Sequence, residues 1–158
     1  MEQDWIFQTG DYSCDLRVAG VLVRDGKILV QRDANGSEYA LPGGHVHLGE
    51  TLESALLREY REETGAAIRC LKMLWSEECF WAWQGRQNHN ISFYYLIELR
   101  DSAALPDLGR FIPHKDNSHV VIGWLPIEQL QDVTIYPEFI KQEIDHLDGG
   151  MKHFVTHA

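Results

Sequence analysis

Hydrophobic and polar positions alternate most clearly in the first quarter of the chain. Leu16-Arg-Val-Ala-Gly-Val-Leu-Val-Arg24 and Lys27-Ile-Leu-Val-Gln-Arg32 are β-rich runs flanking Asp25-Gly26. That dipeptide between such runs is a strong hairpin signal, because a tight two-residue turn needs positive φ. Upstream, Trp5, Ile6 and Phe7 interrupt a polar stretch and predict a short strand or arm packed on the body. Asp33-Ala-Asn-Gly-Ser-Glu38 has loop composition, and Tyr39-Ala-Leu41 predicts a short strand entering the turn Pro42-Gly43-Gly44.

The period then changes. Leu52, Ala55, Leu56, Leu57 and Tyr60 recur at helical spacing, Thr51 is a suitable N-cap, and Gly65 a suitable stop. Residues 67–78 predict a strand with Ile68, Leu71 and Leu74 in the core, followed by the aromatic cluster Phe80-Trp-Ala-Trp83 and the turn-prone Gln84-Gly85. Asn90-Ile-Ser-Phe-Tyr-Tyr-Leu-Ile-Glu-Leu99 is a strong strand pattern. Residues 101–118 read as a long loop with room for a short hairpin. His119-Val-Val-Ile-Gly-Trp-Leu125 reads as the last main strand. Pro126 opens a short helix to Leu130, and Pro137 opens a final helix over residues 138–147, with Phe139, Ile140, Ile144 and Leu147 on one face. Residues 148–158 read as a frayed tail. Strands alternating with two substantial helices predict an α/β fold, and no internal repeat is visible, so residues 1–158 are read as one domain.

The chemistry concentrates in the helix after the glycine turn. Glu59, Glu62 and Glu63 stand at i, i+3 and i+4, on one side of that helix. Like charges at this spacing repel, which costs a few tenths of a kcal/mol per exposed pair. Arg58 and Arg61 relieve part of it. Oxygen donors with no nearby cysteine suit a hard divalent ion such as Mg²⁺ or Mn²⁺. A solvated charged face explains the glutamates alone equally well.

The spacing around them is more specific. Gly44, five residues, Glu50, seven residues, then Arg58-Glu-Tyr-Arg-Glu-Glu-Thr-Gly65-Ala66 resembles the Nudix box. Tyr60 and Ala66 fill the slots where that box usually carries aliphatics. The resemblance implies a mixed β-sheet sandwiched between α-helices, with the box as the loop–helix–loop beside it. It implies cleavage of a nucleoside diphosphate linked to another moiety, assisted by Mg²⁺ or Mn²⁺. Carried over position by position, Glu59 and Glu63 become metal ligands, and Glu62 a further ligand or the general base. The Gly44 carbonyl becomes an additional ligand, and Glu50 a ligand directly or through water. Arg58 orients the box carboxylates. A helix-anchoring ion pair between Glu50 and Arg58 explains those two residues equally well. His47 stands where many members carry Glu, and is read as a surface residue.

Charge sharpens this picture. A net charge of −10 argues against duplex nucleic acid and anionic membranes as partners. At an effective dielectric near 20, two unit charges 4 Å apart interact by about 4 kcal/mol. Three carboxylates would therefore oppose a phosphorylated small molecule by several kcal/mol unless a cation intervened. Cys14, Cys70 and Cys79 form no CxxC pair and read as buried thiols of a reducing compartment. With neither signal-peptide regions at the start nor an apolar run of spanning length, the expectation is a cytoplasmic protein away from the membrane.

The partner expected is a small-molecule nucleotide or diphosphate, and the resemblance admits a homodimer. A MutT-like nucleoside triphosphate is preferred by elimination, since the extra signatures of subfamilies cleaving ADP-ribose, diadenosine polyphosphates, coenzyme A and NADH are absent. Trp75, Phe80, Trp81 and Trp83 are candidates to stack on a base or to fill the core. Arg32, Arg86, Arg110 and Lys115 are candidate phosphate contacts or ordinary surface charges. Glu77, Glu78 and Glu98 are the candidates for a base outside the box, and Asn90 offers an amide near them. Two rivals remain: a non-catalytic nucleotide sensor on the same fold, and an isoprenoid diphosphate isomerase, which would want a catalytic cysteine.

Overall fold

Two turns built on left-handed residues set the strand order. Asp25 (φ 53°) and Gly26 (φ 74°) form one, and Gln84 (φ 49°) and Gly85 (φ 78°) the other. Positive φ at both central positions matches the right-handed twist of the flanking strands. The computed structural model describes residues 2–158. Its strands are β1 (Ile6–Thr9), β2 (Tyr12–Val21), β3 (Val23–Arg24), β4 (Lys27–Asp33), β5 (Glu38–Ala40), β6 (Gly43–His45), β7 (Ile68–Trp83), β8 (Arg86–Leu99), β9 (Ile112–Pro113), β10 (Val120–Pro126), β11 (Thr134–Tyr136) and β12 (Lys152–His157). The helices are α1 (Leu52–Thr64) and α2 (Ile140–Glu143), with 3₁₀ turns at Ile127–Asp132 and Ile144–His146.

The strands form two mixed sheets. One runs β1-β2-β8-β7-β12, with β6 also on β2; the other runs β11-β5-β4-β10-β9, with β3 on β4. The run read as one strand over residues 16–24 breaks at Leu22 and serves both sheets. Leu22 still accepts from the Leu29 amide at 3.0 Å, so the crossing leaves no orphaned carbonyl.

Period-two alternation divides the core. Val18, Leu22, Leu29, Tyr95 and Ile97 pack under α1 against Ala55, Leu56 and Tyr60. Their strand neighbours Val21, Ile28, Val30 and Tyr94 pack on the opposite face against Leu130, Ile140 and Ile144. The α/β architecture with helical elements on both faces of the strands follows from that alternation. Among the described residues, no helix is long and apolar enough to cross a membrane.

Several local expectations change. Leu71 is exposed, not core, because the β7–β8 register shifts between Cys70 and Lys72 and again between Met73 and Trp75. The expected final helix over residues 138–147 shortens to α2 and a 3₁₀ turn. The strand at residues 119–125 is not the last. Residues 152–157, read as tail, form β12 and pair in parallel with β7 from Trp75 to Phe80. Alternate side chains anchor that strand. Phe154 stacks on Phe139 with ring centroids 3.9 Å apart, and Thr156 donates to Glu77 at 2.8 Å. A sequence rich in Gly and His carries no apolar period to announce an edge strand of this kind.

Candidate active site

The glycine turn and α1 meet because nothing stands between them. A Cβ on Gly44 would lie 2.5 Å from the Glu59 carboxyl carbon, so the glycine lets that carboxylate rest on the backbone of β6. A Cβ on Gly43 would lie 2.1 Å from the Val18 carbonyl oxygen, which is why β6 can pair closely with β2. The helix itself is well terminated. The Thr51 hydroxyl accepts from the Ser54 amide at 3.1 Å, and Gly65 (φ 77°) returns its amide to Arg61 at 3.0 Å. Tyr60 fits its slot because Gly20 faces it: a Cβ there would come within 3.1 Å of the Tyr60 hydroxyl.

Arg58 organises the carboxylates. Its Nε and Nη2 donate to the two oxygens of Glu50 at 2.8 and 3.0 Å. Its Nη1 reaches Glu59 at 2.9 Å and Glu62 at 3.2 Å, and its Nη2 also donates to the His45 carbonyl at 3.0 Å. One planar guanidinium thus ties the loop to the helix, a task suited to its fixed fork of donors. Glu50 accepts in addition from the His47 amide at 2.9 Å. The hydrogen bonds from Arg58 outweigh the cost of burial and hold the Glu50 carboxyl below the usual carboxylate range.

The three helix glutamates separate in environment. Glu63 is buried, and its Oε2 has no hydrogen-bond partner. Burial, then the adjoining Glu59 carboxyl, push the Glu63 carboxyl well above its ordinary range. Glu62 is the exposed member, with 43% of its side chain open to solvent. Glu59 and Glu63 therefore converge while Glu62 stands apart. Among the described residues, no three His, Cys, Asp or Glu side chains gather closely enough to hold a metal by side chains alone.

The residues nonetheless fit a divalent ion. The donors are all oxygens, one is buried without a partner, and two adjoining carboxyls leave a charge deficit that a cation would fill. His114 stands behind Glu63. Its Nδ1 accepts from the Asp116 and Asn117 amides at 3.0 Å each, so Nε2 carries the hydrogen and faces Glu63 Oε2 at 3.5 Å.

A cavity of about 400 Å³ opens beside Gly43 and Gly44. Arg17, Glu77, Tyr94 and Thr156 also line it. Of these only Glu77 was singled out from sequence. Trp75, Glu77 and Cys79 share one phase of β7, opposite Tyr94, Ser92 and Asn90 of β8. A carboxylate in the inward phase of a strand is the signal that could have marked this site.

Other candidates fall elsewhere. Glu78 pairs with His153 at the surface, and Glu98 pairs with Arg69. Asn90 donates to Asp15 and accepts from the Trp81 indole, far from a free amide. His47 is not a surface residue: its side chain is 17% exposed and its Nε2 lies 3.2 Å from Asp4, where the N-terminal arm crosses the box loop. Arg32 caps the loop after β4 through the Asp33 and Ala34 carbonyls. Trp75 is core, edge-on to Phe139, whereas Trp83 is exposed at the hairpin tip. The cysteines are free and only part-buried. Burial still pushes the Cys70 thiol up to about 11, which leaves it a poor nucleophile.

Comparison with known proteins places this geometry in a family. An ADP-ribose pyrophosphatase of Methanocaldococcus jannaschii is 47% identical over 60 residues, covering 36% of this chain and 36% of its own length. A MutT-like protein of Streptomyces ambofaciens is 48% identical over 52 residues, covering 32% of this chain and 34% of its own. The chain thus spans about a third of the length of these curated relatives. The Mutator MutT protein of Bacillus halodurans shares the fold, with a TM-score of 0.66 at 15% identity over 84% of this chain and 82% of that one. The NUDIX domain model matches residues 15–143, which takes in the glycine loop, the whole of α1 and the cavity lining as far as Glu138, and on that match the chain belongs to the NUDIX domain family.

Proposed function

We propose that the chain is a divalent-metal-dependent pyrophosphohydrolase that cleaves the diphosphate bond of a nucleoside diphosphate linked to a further group. The observation that carries this reading is that Glu59, resting against Gly44 at the wall of the cavity, adjoins the buried carboxyl of Glu63. A catalytically idle domain would be more stable with that carboxyl replaced by a neutral group. Names of relatives and structural neighbours, among them a UDP-X diphosphatase, point to the same bond type.

Glu59 and Glu63 would hold the ion, Mg²⁺ or Mn²⁺, with the Gly44 backbone as a further oxygen. When bound, it supplies charge neutralisation and Lewis acidity at the diphosphate. The chain's own residues do the rest. Arg58 fixes Glu59 and Glu62 relative to the loop, so neither carboxylate must reorganise during reaction. Glu62, exposed and holding one hydrogen bond to Arg58, takes the proton of the attacking water on a carboxylate oxygen. Arg17 supplies positive charge in the cavity for a phosphate. Glu50 keeps Arg58 in place.

The test is phosphate or pyrophosphate release across normal and oxidised nucleoside triphosphates, nucleotide sugars, ADP-ribose, NADH and dinucleoside polyphosphates, with and without Mg²⁺ and Mn²⁺. Turnover of one class only with metal is expected. Glu62→Gln should lower it by orders of magnitude with the fold intact, and unchanged kinetics would remove Glu62 from the mechanism. Tight binding without turnover across the panel would replace the hydrolase with a sensor.

A further inference from the structure

Glu77 is an expensive residue for folding alone. Its side chain is buried, yet among the described residues no Lys, Arg or His nitrogen pairs with it. Its partners are neutral hydroxyls: Tyr94 donates to Oε1 and Thr156 to Oε2, each at 2.8 Å. Glutamine would serve those two contacts nearly as well, accepting from Tyr94 through Oε1 and donating to the Thr156 hydroxyl through Nε2. The extra negative charge therefore adds a desolvation cost without improving the packing of β7, β8 and β12.

What it adds is acceptor capacity inside the cavity. A carboxylate has about four lone-pair sites, and two are taken. One remains on each oxygen, in a cavity whose lining also includes Leu41, Pro137, the half-exposed Tyr136 ring, Arg17, Ser92 and Glu138. The lining also takes in Gly43 and Gly44, and the Glu59 carboxylate rests against Gly44.

We infer that Glu77 is the base-reading residue of this site and that it selects a guanine nucleotide, whose ring N1–H and exocyclic N2–H₂ present two adjacent donors to the two carboxylate oxygens. Adenine sets an acceptor, N1, beside its amino group, which would face carboxylate oxygen unfavourably. Uracil has one N–H between two carbonyls, and cytosine a single amino donor beside an acceptor. Only the guanine edge satisfies both oxygens. The inference rests on the cavity being the substrate site of the proposed hydrolase, with the base at Glu77 and the phosphates toward the glycine loop.

Binding separates the two claims. Dissociation constants for GMP, IMP, AMP, CMP and UMP, measured by calorimetry on the full chain with Mg²⁺ present, need no chemistry, because a monophosphate has no diphosphate bond to cleave. GMP should bind at least about tenfold more tightly than AMP, because a hydrogen bond to a charged group is worth that much or more. IMP, which keeps N1–H but lacks the amino group, should fall between them. In Glu77→Gln the GMP-to-AMP ratio should collapse to about twofold, with circular dichroism and melting temperature reporting an intact fold. Equal affinity for GMP and AMP in the natural protein would overturn the inference, as would a preserved ratio in the variant. Should the variant fail to fold, the GMP–IMP–AMP series decides alone. Guanine selectivity without turnover would remove the hydrolase and keep Glu77; metal-dependent turnover indifferent to the base would do the reverse.

Discussion

Replacing Arg58 with Met tests whether the box is held together by one guanidinium. The substitution keeps the aliphatic stem and removes five hydrogen bonds, two of them to Glu50. Glu50 and Glu59, with side chains 16% and 13% exposed, would be left as mostly buried carboxylates facing an apolar side chain. Removing one partner from a fully buried ion pair costs about 3–5 kcal/mol. Residual solvent at this site scales that down, and an exposed pair is worth under about 1 kcal/mol. An intermediate loss of about 2–4 kcal/mol follows. For a domain of this size each kcal/mol moves the melting temperature by about 2–4 °C, so the variant should melt about 5–15 °C lower. The assay is thermal unfolding by circular dichroism in chelator, so that metal loss does not contribute. Arg58→Lys should recover little, since an ammonium cannot span Glu50 and Glu59 together. The double variant with Glu50→Gln should be less destabilised than the sum of the two single ones, because the neutral amide no longer demands a cation. A fall below about 3 °C for Arg58→Met, or strict additivity in the double variant, would refute the claim that Arg58 is the organising residue.

Gly44→Ala should displace the Glu59 carboxylate, since the new methyl would sit 2.5 Å from it. Mn²⁺ affinity followed by electron paramagnetic resonance should drop at least about tenfold with little change in melting temperature, in line with the sensitivity of metal sites to ligand placement. Glu63→Gln should change how metal-free stability depends on pH. The folded Glu63 carboxyl titrates above its ordinary value of 4.5, so its contribution is fully present below that pH and is lost as pH rises toward the folded value. The loss approaches about 1.4 kcal/mol per pH unit while folded and unfolded states differ by one proton. Urea midpoints between pH 5 and 8 should therefore fall more steeply in the natural protein than in the variant, and parallel curves would contradict the burial argument. Phe154→Ala removes the ring stacked on Phe139 and should cost about 1–3 kcal/mol, several degrees in melting temperature, where a loose tail would show none.

The amino-acid sequence by itself determined the box. Its glycine turn, the Thr51 cap, the period of α1 and the Gly65 stop are local features, and local chemistry decides them: a hydroxyl finds an amide three residues on, and a glycine reaches positive φ. The same holds for the hairpins at Asp25-Gly26 and Gln84-Gly85, whose backbone angles depend on two residues. Spacing along one helix was enough to bring Arg58, Glu59, Glu62 and Glu63 near one another.

Which of those carboxylates is buried could not be read from spacing. Glu62 and Glu63 are adjacent in sequence, and only the docking of α1 on β2 and of the segment around His114 against the helix end puts one in solvent and the other under cover. Tertiary structure alone also recruited β12, because a parallel edge strand is stabilised by its pairing with β7 and by two anchoring side chains, not by a pattern of its own. The bulges that expose Leu71 arise from fitting β7 to β8, a mismatch that neither strand records separately. The cavity is the clearest case. Arg17, Gly44, Glu77, Tyr94 and Thr156 come from five strands scattered along the chain, and they share a wall only because β2 lies between β6 and β8 while β7 lies between β8 and β12. Sequence sets what each element can become; long-range pairing decides which side chains face the same space.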